Sequence, residues 1–136
     1  MRRAVGGILG VLLFSGSSLL VASPANAAMD SNCGLAAGTP RTDGVTVYVT
    51  ATVTCSTYMD HTAVQVGAKV SKQDGLIWRD KTSYGYRYSS GATSLSVTKS
   101  WTCNGSGTDD YRTGAMGKTS DNGETRFYGS EKRLTC

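Results

Sequence analysis

The side chains that could carry out acid–base chemistry are few and scattered along the chain. The only histidine is His61, and the neighbouring carboxylates are Asp109 with Asp110 and Asp121 with Glu124. A nucleophile would need a base within hydrogen-bond reach and a third group that orients the base. His61 instead lies between two strand-like segments, and the carboxylates lie in turn-like sequence, where Asp bonds to nearby backbone. The serine-hydrolase elbow Gly-x-Ser-x-Gly is absent. We therefore predict that the protein is not an enzyme.

One short segment resembles a calcium-binding signature. The segment "DDYRTG", Asp109 to Gly114, is similar to the motif of βγ-crystallin domains, in which two acidic or amide residues are followed by two variable ones, Thr and Ser. Oxygen-rich loops of this kind suit calcium. Gly114 stands where the motif has Ser, however, and the segment occurs once. A plain hairpin turn accounts for it better, so no metal and no other cofactor are predicted.

Three tyrosines, Tyr84, Tyr86 and Tyr88, recur at every second position in "TSYGYRYSSG". In an extended strand, residues two apart point to the same face, so the three rings form one row. The intervening Gly85 and Arg87 suit a core poorly. In one interpretation the row therefore faces the core, with the rings covering the sheet and the hydroxyls reaching water.

In the other interpretation the row belongs to an exposed patch that binds a partner. Its members would be Trp78, Arg79, Tyr84, Tyr86, Arg87 and Tyr88. Trp, Tyr and Arg are the residue types that dominate binding hot spots in protein interfaces. Flat aromatic faces also stack on sugar rings, so carbohydrate binding is a further possibility. Both interpretations fit the sequence.

Four cysteines, Cys33, Cys55, Cys103 and Cys136, predict two disulfides. An even number of cysteines in a small exported domain is typical of a disulfide framework. No pair has the close Cys-x-x-Cys spacing of a zinc site. The favoured pairing joins Cys33 to Cys55 and Cys103 to Cys136. The alternative joins Cys55 to Cys103 and Cys33 to Cys136.

Alternation of apolar and polar residues predicts the strands that carry these side chains. In "VTVYVTATVTC" the valines lie on one face and the threonines on the other, and "AVQVGAKV" and "SLSVTKSWTC" repeat the pattern. Asp74-Gly75 is a hairpin-turn signal, and "LIWRDKTSY" is expected to follow it as a strand. The segment "YRTGAMGK" is a weaker strand, and Asp121-Asn122-Gly123 is a second turn signal. No segment shows a sustained helical period. We predict an all-β fold, a small disulfide-stapled antiparallel β-sandwich of six to eight strands over residues 45–136.

Residues 1–27 are typical of a signal peptide. Arg2 and Arg3 precede a long apolar stretch, and "SPANA" ends in the small-x-small pattern that signal peptidase cleaves. We predict cleavage between Ala27 and Ala28. No second apolar run approaches the roughly 20 residues that cross a bilayer. The protein is therefore expected to be secreted and extracellular, without a membrane partner.

The charge of the chain does not favour nucleic-acid binding. The full sequence has a net charge of +4, and removal of the leader with Arg2 and Arg3 leaves 12 basic and 10 acidic residues. Nucleic-acid binding needs a concentrated basic patch. No nucleic-acid partner is predicted.

Residues 28–44, "AMDSNCGLAAGTPRTDG", break the alternating pattern. They contain few large apolar residues and many small and turn-forming ones. We predict an extended N-terminal arm, anchored at Cys33, in which Met29, Asp30 and Leu35 contact a partner. A disordered terminus is the alternative interpretation.

The overall layout resembles a known family of secreted adaptors. The actinobacterial-type leader, the arm "AMDSNCGLAAGTP" and the disulfide-stapled β domain that ends at Cys136 look like the small adaptor subunit of streptomycete umbrella toxin particles. The resemblance implies a non-enzymatic linker in an antibacterial toxin complex. Its partners would be other secreted proteins: a lectin-bearing subunit with a trypsin-like fold and a large repeat-containing toxin.

These observations favour a secreted adaptor or binding module that works through protein–protein contacts. Two alternatives stay open. A protease inhibitor would present a rigid loop, with "QDGLIW" and "CNGSGTDDYR" as candidates, although neither loop lies between two cysteines. A carbohydrate-binding module would use the row of tyrosines.

Overall fold

A computed structural model describes residues 25–29, 32–56, 64–90, 93–120 and 123–136. These residues form eleven strands in two antiparallel sheets, which confirms the predicted all-β sandwich. In chain order the strands are β1 (Ala25–Ala28), β2 (Cys33–Ala37), β3 (Arg41–Thr42), β4 (Thr46–Cys55), β5 (Val64–Asp74), β6 (Ile77–Asp80), β7 (Gly85–Ser89), β8 (Ser94–Thr102), β9 (Thr108–Thr119), β10 (Thr125–Tyr128) and β11 (Lys132–Thr135). Within the described ranges, no helix has the length and apolar character needed to cross a membrane.

The first sheet is built around β4. Along one edge of β4 lie β2 and then β3, with Cys33 opposite Cys55 and Arg41 opposite Tyr48. Along the other edge lies β8, paired over nearly the whole length of β4. Since β1 pairs with the far edge of β2, the order across the first sheet is β1, then β2 with β3, then β4, then β8.

The second sheet is built around β5 and β9, which pair with each other over nine residues from Val64 with Thr119 to Lys72 with Tyr111. The outer edge of β5 carries β6 and β7, one after the other. The outer edge of β9 carries β10 and β11 in the same way. Each edge of this sheet is thus formed by two short strands rather than one long strand.

The core lies between the inner faces of the two sheets and follows the predicted alternation. The first sheet contributes Leu35, Ala37, Val47, Val49, Ala51, Val53 and Leu95, and the second contributes Val64, Val66, Ala68, Val70, Tyr111 and Ala115. Each buried valine or leucine stabilises the fold by roughly 1.5–3 kcal/mol relative to an exposed one. The ring of Tyr111 is fully buried and packs at 6.3 Å from the ring of Trp101, which joins the two sheets at one end.

The outer face of the first sheet carries mainly hydroxyl groups. The Thr50 and Thr98 hydroxyls are 2.9 Å apart, and those of Thr52 and Ser96 are 2.7 Å apart. These cross-strand pairs of β4 and β8 fit the strand preference of Thr and stabilise the register. This face therefore has little apolar surface.

The favoured disulfide pairing is confirmed. Cys33 is bonded to Cys55 between the neighbouring strands β2 and β4. Cys103, just after β8 in the first sheet, is bonded to Cys136, just after β11 in the second sheet. Two disulfides in a domain of this size are typical of an oxidising compartment.

The predicted N-terminal arm is extended but does not stand apart from the domain. Residues 33–37 form β2, which pairs with β4, and residues 41–42 form β3. Leu35 is only 1% exposed, because it lies opposite Val53 on the core side of the sheet. The domain therefore begins before residue 45, the boundary predicted from the sequence.

Three further expectations need correction. The strand count is eleven rather than six to eight, because the two edges of the second sheet are interrupted and the arm adds short strands. The segment "DDYRTG" is neither a turn nor a calcium loop, since it lies within β9, where Asp109 and Asp110 pair with β11 and the residues from Tyr111 onward pair with β5. The expected strand "LIWRDKTSY" is broken after Asp80, where the Lys81 amide donates to the Val70 carbonyl at 2.8 Å.

Candidate functional site

The row of tyrosines lies on the outer face of the second sheet. On β7, Tyr86 pairs with Gly67 and Tyr88 with Gln65, whereas the core residues of β5 alternate with these positions. Tyr86 is 45% exposed and Tyr88 is 68% exposed. Tyr84, just before β7, stacks on Tyr86 with ring centroids 5.8 Å apart. Of the two interpretations, the structure supports the exposed row.

Two more aromatic residues join the row from other strands. Trp78 on β6 pairs with Gln73, and Tyr128 on β10 pairs with Gly114, so both side chains fall on the same outer face. Tyr128 was not predicted from the sequence, although the alternation in "TRFY" places Arg126 and Tyr128 on one side of a strand. We call this surface the aromatic face and define it as Trp78, Tyr84, Tyr86, Tyr88 and Tyr128 with Lys69, Arg112 and Arg126.

Three cations alternate with the rings of the aromatic face. The Arg112 guanidinium lies 4.2 Å from the centroid of Trp78 and 3.9 Å from that of Tyr128. The Lys69 ammonium lies 5.1 Å from the Tyr128 ring and 4.7 Å from the Tyr84 ring. Arg126 lies 5.3 Å from Tyr84 on the other side. Contacts of this kind hold the rings and cations in fixed relative positions, each contributing roughly 0.5–1 kcal/mol at exposed sites.

The rings of the aromatic face pack against the sheet at two glycines. A Cβ atom at Gly67 would lie 2.8 Å from Cε1 of Tyr86 and 3.2 Å from Cδ1 of Tyr84. A Cβ atom at Gly114 would lie 2.6 Å from Cγ of Lys69 and 3.2 Å from Cε1 of Tyr128. The absence of side chains at these positions allows the rings to lie close against the backbone of β5 and β9.

Replacing Gly67 by alanine is expected to push the rings of Tyr84 and Tyr86 off the sheet. The overpacking should lower the free energy of unfolding by about 1 kcal/mol and shift the aromatic proton resonances of both tyrosines. Gly123→Ala is the control, because a Cβ atom there meets nothing within 4 Å. Tyrosine resonances that stay unchanged in Gly67→Ala would contradict the described ring positions.

The cations of the aromatic face differ in their ionic partners. The Lys69 ammonium is 2.6 Å from Asp80, and Arg126 is paired with Glu124. Burial opposes the charge of Lys69, but hydrogen bonds to Asp80 and Tyr128 outweigh it and raise the pKa of Lys69 above its ordinary 10.5. Arg112 differs, since none of the described carboxylates pairs with it. In the described part of the chain, its guanidinium contacts the rings of Trp78 and Tyr128.

Two predicted members of the patch lie on the opposite side of their strands. Arg79 follows Trp78 directly in β6 and pairs with Lys72, so its side chain points to the opposite face of the sheet. It forms an ion pair with Asp74 at 3.5 Å. Arg87 lies between Tyr86 and Tyr88 and donates from Nη1 to the Ser96 carbonyl of the first sheet at 3.3 Å. The aromatic face therefore takes its cations from β5, β9 and β10 instead.

The predicted partner contacts in the N-terminal segment are mostly turned inward. The side chain of Met29 packs against the core, and its sulfur would lie 2.8 Å from a Cβ atom at Gly117. Leu35 is part of the core itself. Both side chains are thus occupied by contacts within the domain. Asp30 lies outside the described residues.

The candidate acid–base residues do not form a site in the described part of the chain. Asp109 pairs with Lys72 at 2.8 Å and Asp110 with Arg133 at 3.3 Å, on opposite faces of β9. Among the described ranges no three His, Cys, Asp or Glu side chains are grouped to hold a metal. His61 and Asp121 lie outside the described residues.

Comparisons with known proteins show distant structural likenesses only. No protein-family model matches the chain, and no curated protein matches it. The crystal structure of the ApaA protein from Bordetella pertussis is similar over 76% of this chain and 92% of its own, with 9% identity and a TM-score of 0.44. β-Glucosidase 3B from Thermotoga neapolitana, in complex with glycerol, is similar over 85% of this chain but 17% of its own, with 13% identity and a TM-score of 0.36.

Proposed function

We propose that this protein is a secreted, non-enzymatic adaptor that binds a partner protein through the aromatic face of its second sheet. The observation that carries the proposal is the exposed array of rings and cations, in which Tyr86, Tyr88 and Tyr128 are 45%, 68% and 41% exposed. The few hot-spot residues that dominate the binding energy of protein interfaces are enriched in Tyr, Trp and Arg. Their positions are fixed by mutual contacts, so little conformational entropy is lost on binding.

The shape of the surface favours a protein partner over a small molecule. A concavity beside Gln65 and Tyr88 has a volume of about 140 Å³, and another beside Asp109 and Arg133 has about 200 Å³. Sites for small ligands usually enclose roughly 300–1,000 Å³. The aromatic face instead spreads over strands of both edges of the sheet and fits a broad contact.

The charge of the face favours a partner that presents a carboxylate. Lys69 and Arg126 have acidic partners of their own, whereas Arg112 has none among the described residues. The Nε atom of Arg112 is buried without a partner in the described ranges, so its two terminal nitrogens are the groups that would form a bidentate bond to a carboxylate. The resemblance of layout suggests, as members of the complex, a lectin-bearing subunit and a large repeat-containing toxin.

The proposal is tested by replacing Tyr86 and Tyr88 with alanine. The partner is the secreted protein that the immobilised wild-type chain captures from the culture medium of its native host. The double variant should bind this protein at least tenfold more weakly, a loss of about 1.4 kcal/mol. The free energy of unfolding should change little, because both rings are exposed.

The matched control is Tyr48→Ala, which removes a tyrosine from the outer face of the first sheet. Among the described residues, Tyr48 bonds to Asp43 at 2.8 Å and packs against Arg41, so the affinity should not change. Equal loss in both variants, or no loss in the Tyr86 and Tyr88 variant, would contradict binding through the aromatic face.

A carbohydrate partner is the second candidate, because the same exposed rings can stack on sugars. Binding to a glycan array or to isolated cell walls, lost in the Tyr86 and Tyr88 variant, would favour it over the adaptor. The protease-inhibitor alternative receives less support. Leu76, although 98% exposed, lies in a tight two-residue turn with Gly75 between β5 and β6 rather than in an extended loop.

A further inference from the structure

A four-residue strand at the start of the described chain covers the edge of the first sheet. In β1, Ala25 pairs with Ala37 and Ala27 with Leu35. Strand β1 also lies beside β10 of the second sheet, so it covers the seam where the two sheets meet. The predicted cleavage between Ala27 and Ala28 falls within this strand. Removal of the leader would therefore take away most of β1.

The hydrogen bonds of β2 show what cleavage would uncover. The Met29 amide donates to the Cys33 carbonyl at 3.0 Å. In an antiparallel pair the bonded positions recur at every second residue, so Leu35 and Ala37 exchange their backbone bonds with Ala27 and Ala25. Without residues 25–27, the N–H and C=O groups of Leu35 and Ala37 are unpaired along an open edge.

We propose that this vacated edge of β2 is a strand-addition site, filled in the mature protein by an extended segment of a partner protein. Such a segment would restore the backbone bonds of Leu35 and Ala37, as edge-strand recognition does elsewhere. The site lies at the edge of the first sheet, whereas the aromatic face is the outer face of the second sheet. It rests on cleavage after Ala27 and not on the proposed function of the aromatic face, and it supplies a second contact surface.

The narrow space between the two sheets admits only small side chains at two alternate positions of a strand that pairs with β2. Only the methyl groups of Ala25 and Ala27 occupy these positions next to β2. The sheets approach closely there, since a Cβ atom at Gly129 would lie 2.8 Å from Cβ of Ala37. A second copy of β2 would have to place Leu35 or the bonded Cys33 in this space. A partner segment with Ala, Gly or Ser at alternate positions fits better.

Hydrogen exchange of the backbone tests the site in two steps. First, the Leu35 and Ala37 amides are compared between the chain 28–136 and a chain that retains residues 23–27. They should exchange at least roughly tenfold faster in the shorter chain, because an open edge leaves them unprotected. Second, a synthetic peptide of residues 23–27 at millimolar concentration should slow their exchange again.

The control peptide carries an N-methyl group on Ala27, which removes the N–H that bonds to β2, and it should give no protection. A peptide with Ala27→Trp tests the selection of small side chains and should also fail. The proposal is overturned if the two amides exchange equally slowly in both chains, if the unmodified peptide gives no protection, or if the mass of the secreted protein shows that residues 25–27 are retained.

Discussion

Replacement of Arg112 by methionine is expected to weaken binding of the partner by roughly 30-fold, about 2 kcal/mol, the range of an interface hot spot. The guanidinium lies between the rings of Trp78 and Tyr128, at 4.2 and 3.9 Å from their centroids. A methionine can keep the apolar contact with both rings. It cannot offer a charged fork of N–H groups to a carboxylate. Affinity should therefore fall, while the loss of two cation–π contacts lowers the free energy of unfolding by at most about 2 kcal/mol.

Two companion variants identify the cause of the loss. Arg112→Lys keeps the charge but loses the planar fork, so most of the affinity should still be lost. Lys118→Met removes an exposed cation that lies across Gln65 from Tyr88 at the end of the same outer face and, among the described residues, makes no cation–π contact, so its effect should be much smaller. Equal effects of Lys118→Met and Arg112→Met would indicate that only the net charge of the face matters.

Removal of the Cys103–Cys136 disulfide is expected to lower the free energy of unfolding by about 4 kcal/mol, because the unfolded chain regains the conformational entropy that the closed loop had removed. The two cysteines are 33 residues apart in sequence, and they join the end of β8 in the first sheet to the end of β11 in the second. Chemical denaturation of the double variant Cys103→Ser and Cys136→Ser measures the loss.

The comparison variant is Cys33→Ser with Cys55→Ser. That disulfide closes a shorter loop, of 22 residues, between strands that already pair within one sheet. Its removal should cost about 3 kcal/mol. A loss below about 1 kcal/mol for Cys103–Cys136 would show that strand pairing alone holds the two sheets together at that end.

The strands with regular alternation could be predicted because their burial depends on local pattern. β4, β5 and β8 each alternate apolar and polar residues, and their inner faces were identified correctly. β9 was expected to be a weak strand, yet it lies in the middle of the second sheet. Its Gly114 and Met116 face outward beneath the aromatic face, so the strand is covered on both sides and has no simple alternation.

The strands of the N-terminal segment could not be predicted from the sequence, because their burial depends on pairing with β4 and not on alternation within the segment. The small residues around Leu35 carry no strong strand signal. They are buried because β4 provides a paired edge and Val53 provides a core neighbour. The sequence of β7 could not show whether the row of tyrosines faces the core or the solvent either, because this depends on which side of β5 faces the first sheet.

The placement of Arg87, in contrast, could have been predicted. A residue between Tyr86 and Tyr88 in a strand must point away from both. Arg79 follows Trp78 and is subject to the same rule. The cations that do contact the rings come from β5, β9 and β10, and only the pairing of those strands brings Lys69, Arg112 and Arg126 together.

The pairing of strands that are far apart in the chain has a consequence for how the protein folds. Some forty residues separate β4 from its pairing partner β8 in the sequence, and β5 is separated from β9 in a similar way. Folding of such topologies is slow, in the range of milliseconds to seconds, because long loops must close before the contacts form. The Cys33–Cys55 bond needs only the local pairing of β2 with β4. The Cys103–Cys136 bond needs both sheets in place, so oxidation of the second pair marks the end of folding.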